Sequence, residues 1–231
     1  MCGRFVFATQ ALECQLAFPG FVFPIDMPIR YNITPGQPVI ALANNGAKRA
    51  VAFKWGLIPP WSKDPQIGNR LINARAESLA EKPSFRSAFK RRRCLIPTNG
   101  FYEWKKQADG KTKVPTYISL KSGRPFALAG LWEHWASAQG DEIESCTIIT
   151  TEPNELMAQI HHRMPVILPS DAYEAWLDPT EKRPDDLQSL LGPYPAGEMT
   201  AHPVSSWVNN PGNDAPECIA PVVQSEQRAL F

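Results

Sequence analysis

The sequence predicts a single α+β domain with a curled, barrel-like β core flanked by short helices. Short apolar runs bounded by Gly, Pro and Asn recur along the chain and are typical of strands. The 23 prolines among 231 residues interrupt the chain too often for long helices. No internal repeat and no linker divides the sequence, so we expect residues 1–222 to form one domain and residues 223–231 a flexible tail.

The predicted elements follow one another at short intervals. Strands or extended segments are expected at residues 4–7, 39–43, 50–57, 71–75, 94–96, 100–105, 116–120, 125–132, 146–151, 164–168 and 201–205. Helical spacing predicts short helices at residues 9–17, 84–92, 155–160, 171–177 and 184–191. Asn45-Gly46 is a hairpin signal. We also expect segments 94–96 and 100–105 to pair with each other, and the Pro- and Gly-rich residues 18–36 to form a loop.

Composition excludes several classes of protein. The net charge of +1 means that binding of nucleic acid must rest on a local basic patch. The five cysteines include no Cys-x-x-Cys pair, which argues against a zinc site and a disulfide framework, so we expect no metal and no cofactor. Without an apolar leader or a run of transmembrane length, we expect a monomeric cytoplasmic protein, associated with the nucleoid in a bacterium, that makes no membrane contact.

Cys2 is the most distinctive candidate for chemistry. If Met1 is removed, the α-amine and the thiol of Cys2 lie on one residue. An α-amine titrates near about 7.7–8.0 and a thiol near about 8.5, so both nucleophiles are partly available at neutral pH. The alternative is that position 2 is simply a small residue close to a chain end.

Glu103 lies in a strand candidate rich in aromatic residues. Strand alternation puts Phe101, Glu103 and Lys105 on one face and Tyr102 and Trp104 on the other. Bulky rings would desolvate the carboxylate, raise its pKa and suit it to general acid–base catalysis near pH 7. The alternative is a glutamate on the solvent face that pairs with a lysine.

Two of the four histidines, His161 and His162, are adjacent. Histidine titrates near neutrality without assistance, and because neighbouring side chains point in different directions, at most one is expected to serve a given site. The alternative is a pair of rings that interact with the dipole of a helix C-terminus. Asn73 is flanked by apolar residues, and a buried asparagine either brackets the fold or positions a reacting group.

Basic and aromatic residues that could contact nucleic acid are spread along the chain. Arginine binds phosphate through its forked donors, and an exposed tryptophan offers a face on which unpaired bases stack. Trp61 is the candidate for an exposed ring, whereas residues 90–93 are expected at a solvated helix end, and a salt bridge is the alternative for Arg75. The full set is Arg4, Arg30, Arg75, Arg86, residues 90–93, Arg163, Trp55, Trp61 and Trp104.

Several short motifs occur together and in order, and as a set they resemble one protein family. They are Met1-Cys2-Gly3-Arg4-Phe5, Arg30-Tyr31-Asn32 with Pro35-Gly36, Trp55-Gly56-Leu57-Ile58-Pro59, Ile72-Asn73-Ala74-Arg75-Ala76-Glu77, Gly100-Phe101-Tyr102-Glu103-Trp104 and Ile160-His161-His162-Arg163-Met164-Pro165. Over residues 2–222 the chain resembles the SOS-response-associated peptidases, the abasic-site processing proteins. The resemblance implies one α+β domain with a barrel-like β core and a positively charged groove.

The resemblance also implies a covalent reaction with DNA. The Cys2 amine would attack the aldehyde of an abasic site in single-stranded DNA, and the thiol would close a thiazolidine crosslink that shields the lesion in the DNA damage response. By motif match, Asn73 would orient the amine or the opened sugar, Glu103 would shuttle protons, and His161 would assist ring opening and crosslink reversal. The implied DNA contacts are Arg4, Arg75 and Arg163 to phosphates, Asn32 and Thr150 as support, and Pro35, Trp61 and Trp104 as stacking surface. Some members carry a second aromatic after the position of Trp61, and Ser62 here weakens the expected wedge at a strand junction.

Further activities and alternatives follow from the same start of the chain. Removal of Met1, by the protein itself or by an aminopeptidase, fits the name peptidase, and a Schiff base also admits lyase-type strand cleavage. An N-terminal-nucleophile glutamine amidotransferase and a non-catalytic single-stranded DNA-binding module stay open as alternatives.

The C-terminal residues suggest a partner. Gln227, Leu230 and Phe231 match the Gln-x-x-Leu-Phe peptides that bind bacterial sliding clamps, so a clamp is a predicted partner. A featureless tail is the alternative.

Overall fold

The computed structural model describes residues 2–222 as two β-sheets and a set of short helices. The strands are β1 (Phe5–Phe7), β2 (Arg30–Ile33), β3 (Pro38–Ala43), β4 (Ala50–Trp55), β5 (Asn73–Arg75), β6 (Arg93–Thr98), β7 (Gly100–Lys106), β8 (Lys113–Leu120), β9 (Phe126–Ala136), β10 (Glu142–Thr151), β11 (Met164–Pro165), β12 (Ile167–Leu168) and β13 (Met199–Pro203). The α-helices are α1 (Ala11–Ala17), α2 (Arg86–Arg91), α3 (Glu155–Ala158), α4 (Tyr173–Leu177) and α5 (Pro184–Gln188). The predicted α+β class is confirmed.

Among the described residues, five strands close into a barrel. β3 pairs antiparallel with β4 and β6, β6 pairs with β9, and β9 pairs with β10. β10 returns to β4 in parallel and completes the ring. Closure leaves these strands without free edges, and their buried apolar residues include Leu42, Leu95 and Leu131. The predicted barrel-like core is therefore confirmed, and β5 extends it by pairing in parallel with β10.

An open antiparallel sheet carries the N-terminus of the described chain. Its strand order is β13-β8-β7-β1-β2. Phe5 of β1 lies opposite Phe101 of β7, and the Phe5 ring meets Trp55 of the barrel edge-on, with 5.1 Å between ring centroids. Because β1 belongs to the open sheet and packs Phe5 against the barrel, Cys2, which precedes β1 by three residues, is buried in the same apolar cluster as Phe5 and Phe101.

One predicted strand pairing is wrong. Segments 94–96 and 100–105 belong to different sheets, since β6 pairs with β3 and β9 while β7 pairs with β1 and β8. The turn between them binds β1 instead of closing a hairpin. Thr98 Oγ1 and the backbone nitrogen of Asn99 both donate to the carbonyl of Val6, at 2.7 and 2.9 Å. These bonds turn the chain from the barrel into the open sheet.

The loop expected at residues 18–36 contains an unpredicted strand, β2. It pairs with β1, and on its other side the backbone nitrogens of Tyr31 and Asn32 donate to the carboxylate of Asp214. Asn32 and Asp214 are 182 positions apart in sequence. A strand stabilised by so distant a contact leaves no local pattern by which to predict it.

Residues 90–93 are the predicted solvated helix end only in part, because Lys90 and Arg91 end α2 and Arg91 is exposed, whereas Arg93 is not. Arg93 is fully buried, and its guanidinium donates to the backbone carbonyls of Phe89 at 3.1 Å and Trp176 at 2.8 Å. Arg91 and Arg92 form ion pairs with glutamates. A buried guanidinium is tolerated because carbonyls of α2 and α4 accept its hydrogen bonds. Arg93 therefore joins two helices.

Two further expectations concern membranes and the tail. Within residues 2–222, no helix is both long and apolar enough to cross a membrane. Gln227, Leu230 and Phe231 lie outside the described residues, as does the whole of the predicted tail. The flexible tail and its boundary with the domain therefore stay predictions.

Candidate active site at the N-terminus

Cys2 is fully buried in the chain that still carries Met1. Burial raises the pKa of the Cys2 thiol, and the charge of Glu103 raises it further. The Cys2 backbone is held by Asn73, whose Nδ2 donates to the Cys2 carbonyl oxygen at 2.7 Å. Asn73 thus acts on Cys2 through a hydrogen bond, and Glu103 acts on it through its charge.

Asn73 is positioned by the parallel pairing of β5 with β10, in which it lies opposite Ile148. Its Nδ2 is occupied by Cys2. Its Oδ1 is buried and has no hydrogen-bond partner among residues 2–222. An amide oxygen in this position can accept a proton donor such as an amine or a sugar hydroxyl.

Glu103 lies on the same face of β7 as Phe101, and both faces are buried at this point of the strand. Phe101 belongs to the large apolar core that includes Cys2, whereas Tyr102 belongs to a smaller cluster on the opposite face of the strand. Glu103 is only 4% exposed, and burial raises the pKa of its carboxyl. The predicted alternation and desolvation are confirmed, and a catalytic role for Glu103 stays a prediction.

His161 lies after α3 and is framed by the backbone of Arg163. Nδ1 lies 3.1 Å from the backbone nitrogen of Arg163 and 3.2 Å from its carbonyl oxygen. Nδ1 accepts from the first atom when the neutral ring carries its proton on Nε2, and it donates to the second when Nδ1 itself carries a proton. Burial lowers the pKa of His161 to about 4, so the ring is neutral at pH 7. The expectation that the adjacent rings diverge is wrong, because His161 and His162 stack with 4.3 Å between centroids.

Arg4, Asn32 and Trp104 form one contact group, two residues along the chain from Cys2. Arg4 Nη1 donates to Asn32 Oδ1 and to the carbonyl of Val208, both at 2.7 Å, and the guanidinium lies 5.5 Å from the centroid of the Trp104 ring. Asn32 is fully buried, and its Nδ2 donates to three carbonyls in residues 208–213 at 2.6–3.1 Å. Any contribution of Asn32 to DNA binding is therefore indirect, through Arg4.

Arg163, Thr150 and Glu77 form a second contact group. Arg163 Nη1 and Nη2 donate to the two carboxylate oxygens of Glu77 at 2.7 and 3.0 Å. Nη2 also donates to the carbonyl of Thr150, a fully buried residue of β10, at 2.6 Å. The guanidinium that was predicted to bind phosphate is thus already engaged by a carboxylate of the protein.

Three predicted DNA contacts lie at the surface. Pro35, Arg75 and Trp61 are exposed, Trp61 by 59%. The predicted exposure of the Trp61 ring is confirmed, which leaves its face available for stacking. Whether these three residues contact DNA stays a prediction.

The loop that carries Trp61 is anchored on β9 and β10, where the backbone nitrogen of Ile58 donates to Ser145 Oγ at 2.8 Å. Trp135 Nε1 donates to the carbonyl of Ser62 at 2.7 Å, and Trp135 lies opposite Ile143 of β10. The partner of Asn73, Ile148, is five positions further along β10, a separation of about 17 Å at the rise of a strand. The bond that anchors Ser62 is thus distinct from the strand pairing that holds Asn73.

Similarity to known proteins decides the family. The family model described as SOS response associated peptidase (SRAP) matches residues 1–211. This chain belongs to the SRAP family. It is 48% identical over 222 residues to the abasic site processing protein YoqW of Bacillus subtilis (strain 168), covering 95% of this chain and 99% of that protein. It is 33% identical over 209 residues to the abasic site processing protein HMCES of Xenopus tropicalis, covering 80% of this chain and 61% of that protein.

A solved structure shares the fold of this SRAP chain. The crystal structure of a protein from Bacteroides thetaiotaomicron aligns with a TM-score of 0.86 and 28% sequence identity. The alignment covers 96% of this chain and 100% of that one. The family and the fold that the motifs implied are both confirmed.

Two carboxylates of this SRAP chain were missed by sequence reasoning. Glu77 is the last residue of the motif of residues 72–77. Its position two residues after Arg75 was the only feature of the local sequence that pointed to a contact with a basic residue. Asp214 holds β2 from a distant segment and gave no signal.

Proposed function

We propose that this SRAP protein senses abasic sites in single-stranded DNA and captures them through Cys2 as a thiazolidine crosslink, which shields the lesion in the DNA damage response. The observation that carries the proposal is that Asn73 binds the Cys2 backbone and that the charge of Glu103 acts on the Cys2 thiol. The names of the relatives, which are called abasic site processing proteins, support the same class of reaction.

The reaction begins with opening of the sugar. At an abasic site C1′ carries a hydroxyl group, and loss of its proton together with protonation of the ring oxygen produces an aldehyde. His161 is neutral at pH 7, because burial lowers its pKa to about 4, so it can take up that proton, and as a weak base it readily passes the proton on to the ring oxygen. The reverse transfer through the same ring would assist reversal of the crosslink.

Capture then requires two bond-forming steps. The Cys2 amine attacks C1′, and the adduct takes up a proton and loses water to give a Schiff base. Glu103 is suited to donate this proton because burial raises the pKa of its carboxyl. The thiol then gives its proton to a base, the sulfur attacks the same carbon, and the electron pair of the C=N bond returns to nitrogen. The five-membered ring closes with one water lost overall, and closure is favoured because amine and thiol belong to one residue.

Removal of Met1 must precede capture, because the Cys2 nitrogen is otherwise part of a peptide bond. We propose that the thiol attacks the Met1 carbonyl carbon and takes the acyl group onto sulfur. Hydrolysis of this thioester releases methionine and frees both groups of Cys2. Removal by an aminopeptidase is the alternative. Lyase-type strand cleavage is a further proposed activity, because the Schiff base acidifies the C2′ proton and allows the 3′ phosphate to leave.

Crosslinking to an oligonucleotide with one abasic site tests the proposal. Wild type should form an adduct that survives heating and denaturing electrophoresis, and Cys2→Ala should form none. Cys14→Ala is the matched control, since it removes a different buried cysteine, and it should crosslink like wild type. An adduct with Cys2→Ala would refute the mechanism. Ammonia release from glutamine would indicate an amidotransferase, and binding without an adduct would indicate a non-catalytic module.

We also propose that the end of the chain docks on a sliding clamp. Gln227, Leu230 and Phe231 carry this proposal by their spacing alone, because they lie outside the described residues. Deleting residues 227–231 should abolish binding to a purified clamp in calorimetry and leave crosslinking intact. Unchanged clamp binding, or none by the full chain, would remove the proposal. A monomer in the cytoplasm or on the nucleoid stays a prediction.

A further inference from the structure

Glu77 lies where a DNA phosphate is predicted to bind. It belongs to the short turn Ala76–Ser78 that follows β5. Its two carboxylate oxygens accept from the two terminal nitrogens of Arg163. A phosphodiester would present a similar pair of oxygens to the same forked donors. One guanidinium edge cannot hold both anions in this bidentate geometry, so phosphate and Glu77 must compete for it.

The two partners of this ion pair differ in freedom. The side chain of Arg163 is 13% exposed, and a further bond to the Thr150 carbonyl holds its Nη2. The side chain of Glu77 is 53% exposed, so its carboxylate can turn into solvent without movement of the backbone. Because ion pairs at the surface contribute little to stability, leaving Arg163 costs Glu77 little once another anion takes its place.

We propose that Glu77 is a displaceable place-holder for a backbone phosphate: it occupies Arg163 in the free protein and leaves when single-stranded DNA binds. The inference rests on the proposed function, because it requires DNA as a ligand. Glu77 also acts electrostatically on the exposed Arg75, so it offsets positive charge at two predicted phosphate contacts. Undamaged DNA is then held weakly and released, whereas an abasic site is retained by the bond to Cys2.

Affinity for an undamaged single-stranded oligonucleotide tests this role, measured by fluorescence anisotropy. Glu77→Gln and Glu77→Ala should both bind roughly 3- to 10-fold more tightly than wild type at low salt. The slope of log affinity against log salt should change by less than about 0.7, the value for one phosphate contact on a single strand, because Arg163 contacts phosphate in the wild-type complex as well. Glu81→Gln is the matched control, because it removes the same charge from an exposed residue that forms no ion pair within the described part of the chain. It should change affinity less than about 2-fold.

A double-mutant comparison shows whether Glu77 acts through Arg163. In an Arg163→Ala background, Glu77→Gln should lose most of its gain in affinity. Unchanged or weaker binding by both Glu77 variants, an equal gain with Glu81→Gln, or a full gain without Arg163 would overturn the inference. Thermal melts accompany the titrations, and failure of both variants to fold would also overturn it, because the pair would then hold the fold together.

The same preparations separate this inference from the proposed function. If wild type forms no adduct with abasic DNA, the proposed function fails whatever Glu77 does. If wild type forms the adduct and the Glu77 variants bind undamaged DNA like wild type, only the place-holder role fails.

Discussion

Arg4 and Arg163 are both predicted to contact phosphate, yet the protein holds them differently. Arg4 donates to neutral oxygens, those of the Asn32 amide and the Val208 carbonyl. Arg163 donates to the carboxylate of Glu77. Neutral acceptors orient a guanidinium and leave its charge available, whereas a carboxylate offsets the charge. The partner of an arginine therefore decides how much of its charge DNA can use.

Removing the buried amide beside Arg4 should have the largest effect. Asn32→Ala removes the bond from Arg4 and three bonds to carbonyls of residues 208–213, and each buried hydrogen bond contributes about 0.5–1.5 kcal/mol. We expect the free energy of unfolding in urea to fall by roughly 2–4 kcal/mol. Asn69→Ala, at an exposed position, should change it by less than about 0.5 kcal/mol. Equal stability of the two variants would show that Asn32 does not bracket the fold.

Replacing each arginine by alanine compares directly how much Arg4 and Arg163 contribute to DNA affinity. Arg4→Ala should weaken binding of undamaged single-stranded DNA by about 10-fold at low salt, since it removes an available charge. Arg163→Ala should weaken it by less than about 3-fold, since binding there gains a phosphate contact but loses the Glu77 contact. Anisotropy titrations measure both. The reverse order of effects would contradict the comparison.

The smallest effect is expected from the pH dependence of stability at His161, next to Arg163. Burial lowers its pKa in the folded state to about 4, below the value of about 6.5 for an unfolded chain. Between these values the unfolded state binds more protons, so stability falls as pH decreases from 6.5 towards 4 and is unaffected above that window. Because the ring is partly exposed, the loss is modest. The stability difference between wild type and His161→Gln should narrow between pH 7 and pH 4.5 in urea denaturation, and a constant difference would contradict this expectation.

Features that depend on one strand could be predicted from the sequence. Alternation along β7 put Phe101 and Glu103 on one face, and both are buried. Contacts between distant segments could not be predicted in this way. Arg163 and Glu77 are 86 positions apart in sequence. They meet because the elements that carry them pack around β10, and local periodicity contains no information about that packing.

The strand pairings show the same limit of prediction from local sequence. The hairpin of β3 and β4 was predicted from Asn45-Gly46, whose glycine adopts a positive φ of 81°. The assumption that neighbouring segments pair failed for β6 and β7, because the turn between them is bound by β1. β2 was missed for the related reason that its stabilising partner, Asp214, is remote in sequence. The roles of Asn73 and His161 came from the family resemblance and not from local pattern.

Intact mass spectrometry tests the central claim, capture by the free N-terminus of Cys2, most directly. The purified protein should lack Met1, and incubation with an abasic oligonucleotide should add the mass of the oligonucleotide less one water. Peptide mapping should place the adduct on Cys2, and borohydride should add no hydrogen, because a thiazolidine has no C=N bond. An adduct on a chain that retains Met1, or one that borohydride reduces at a lysine, would contradict the account.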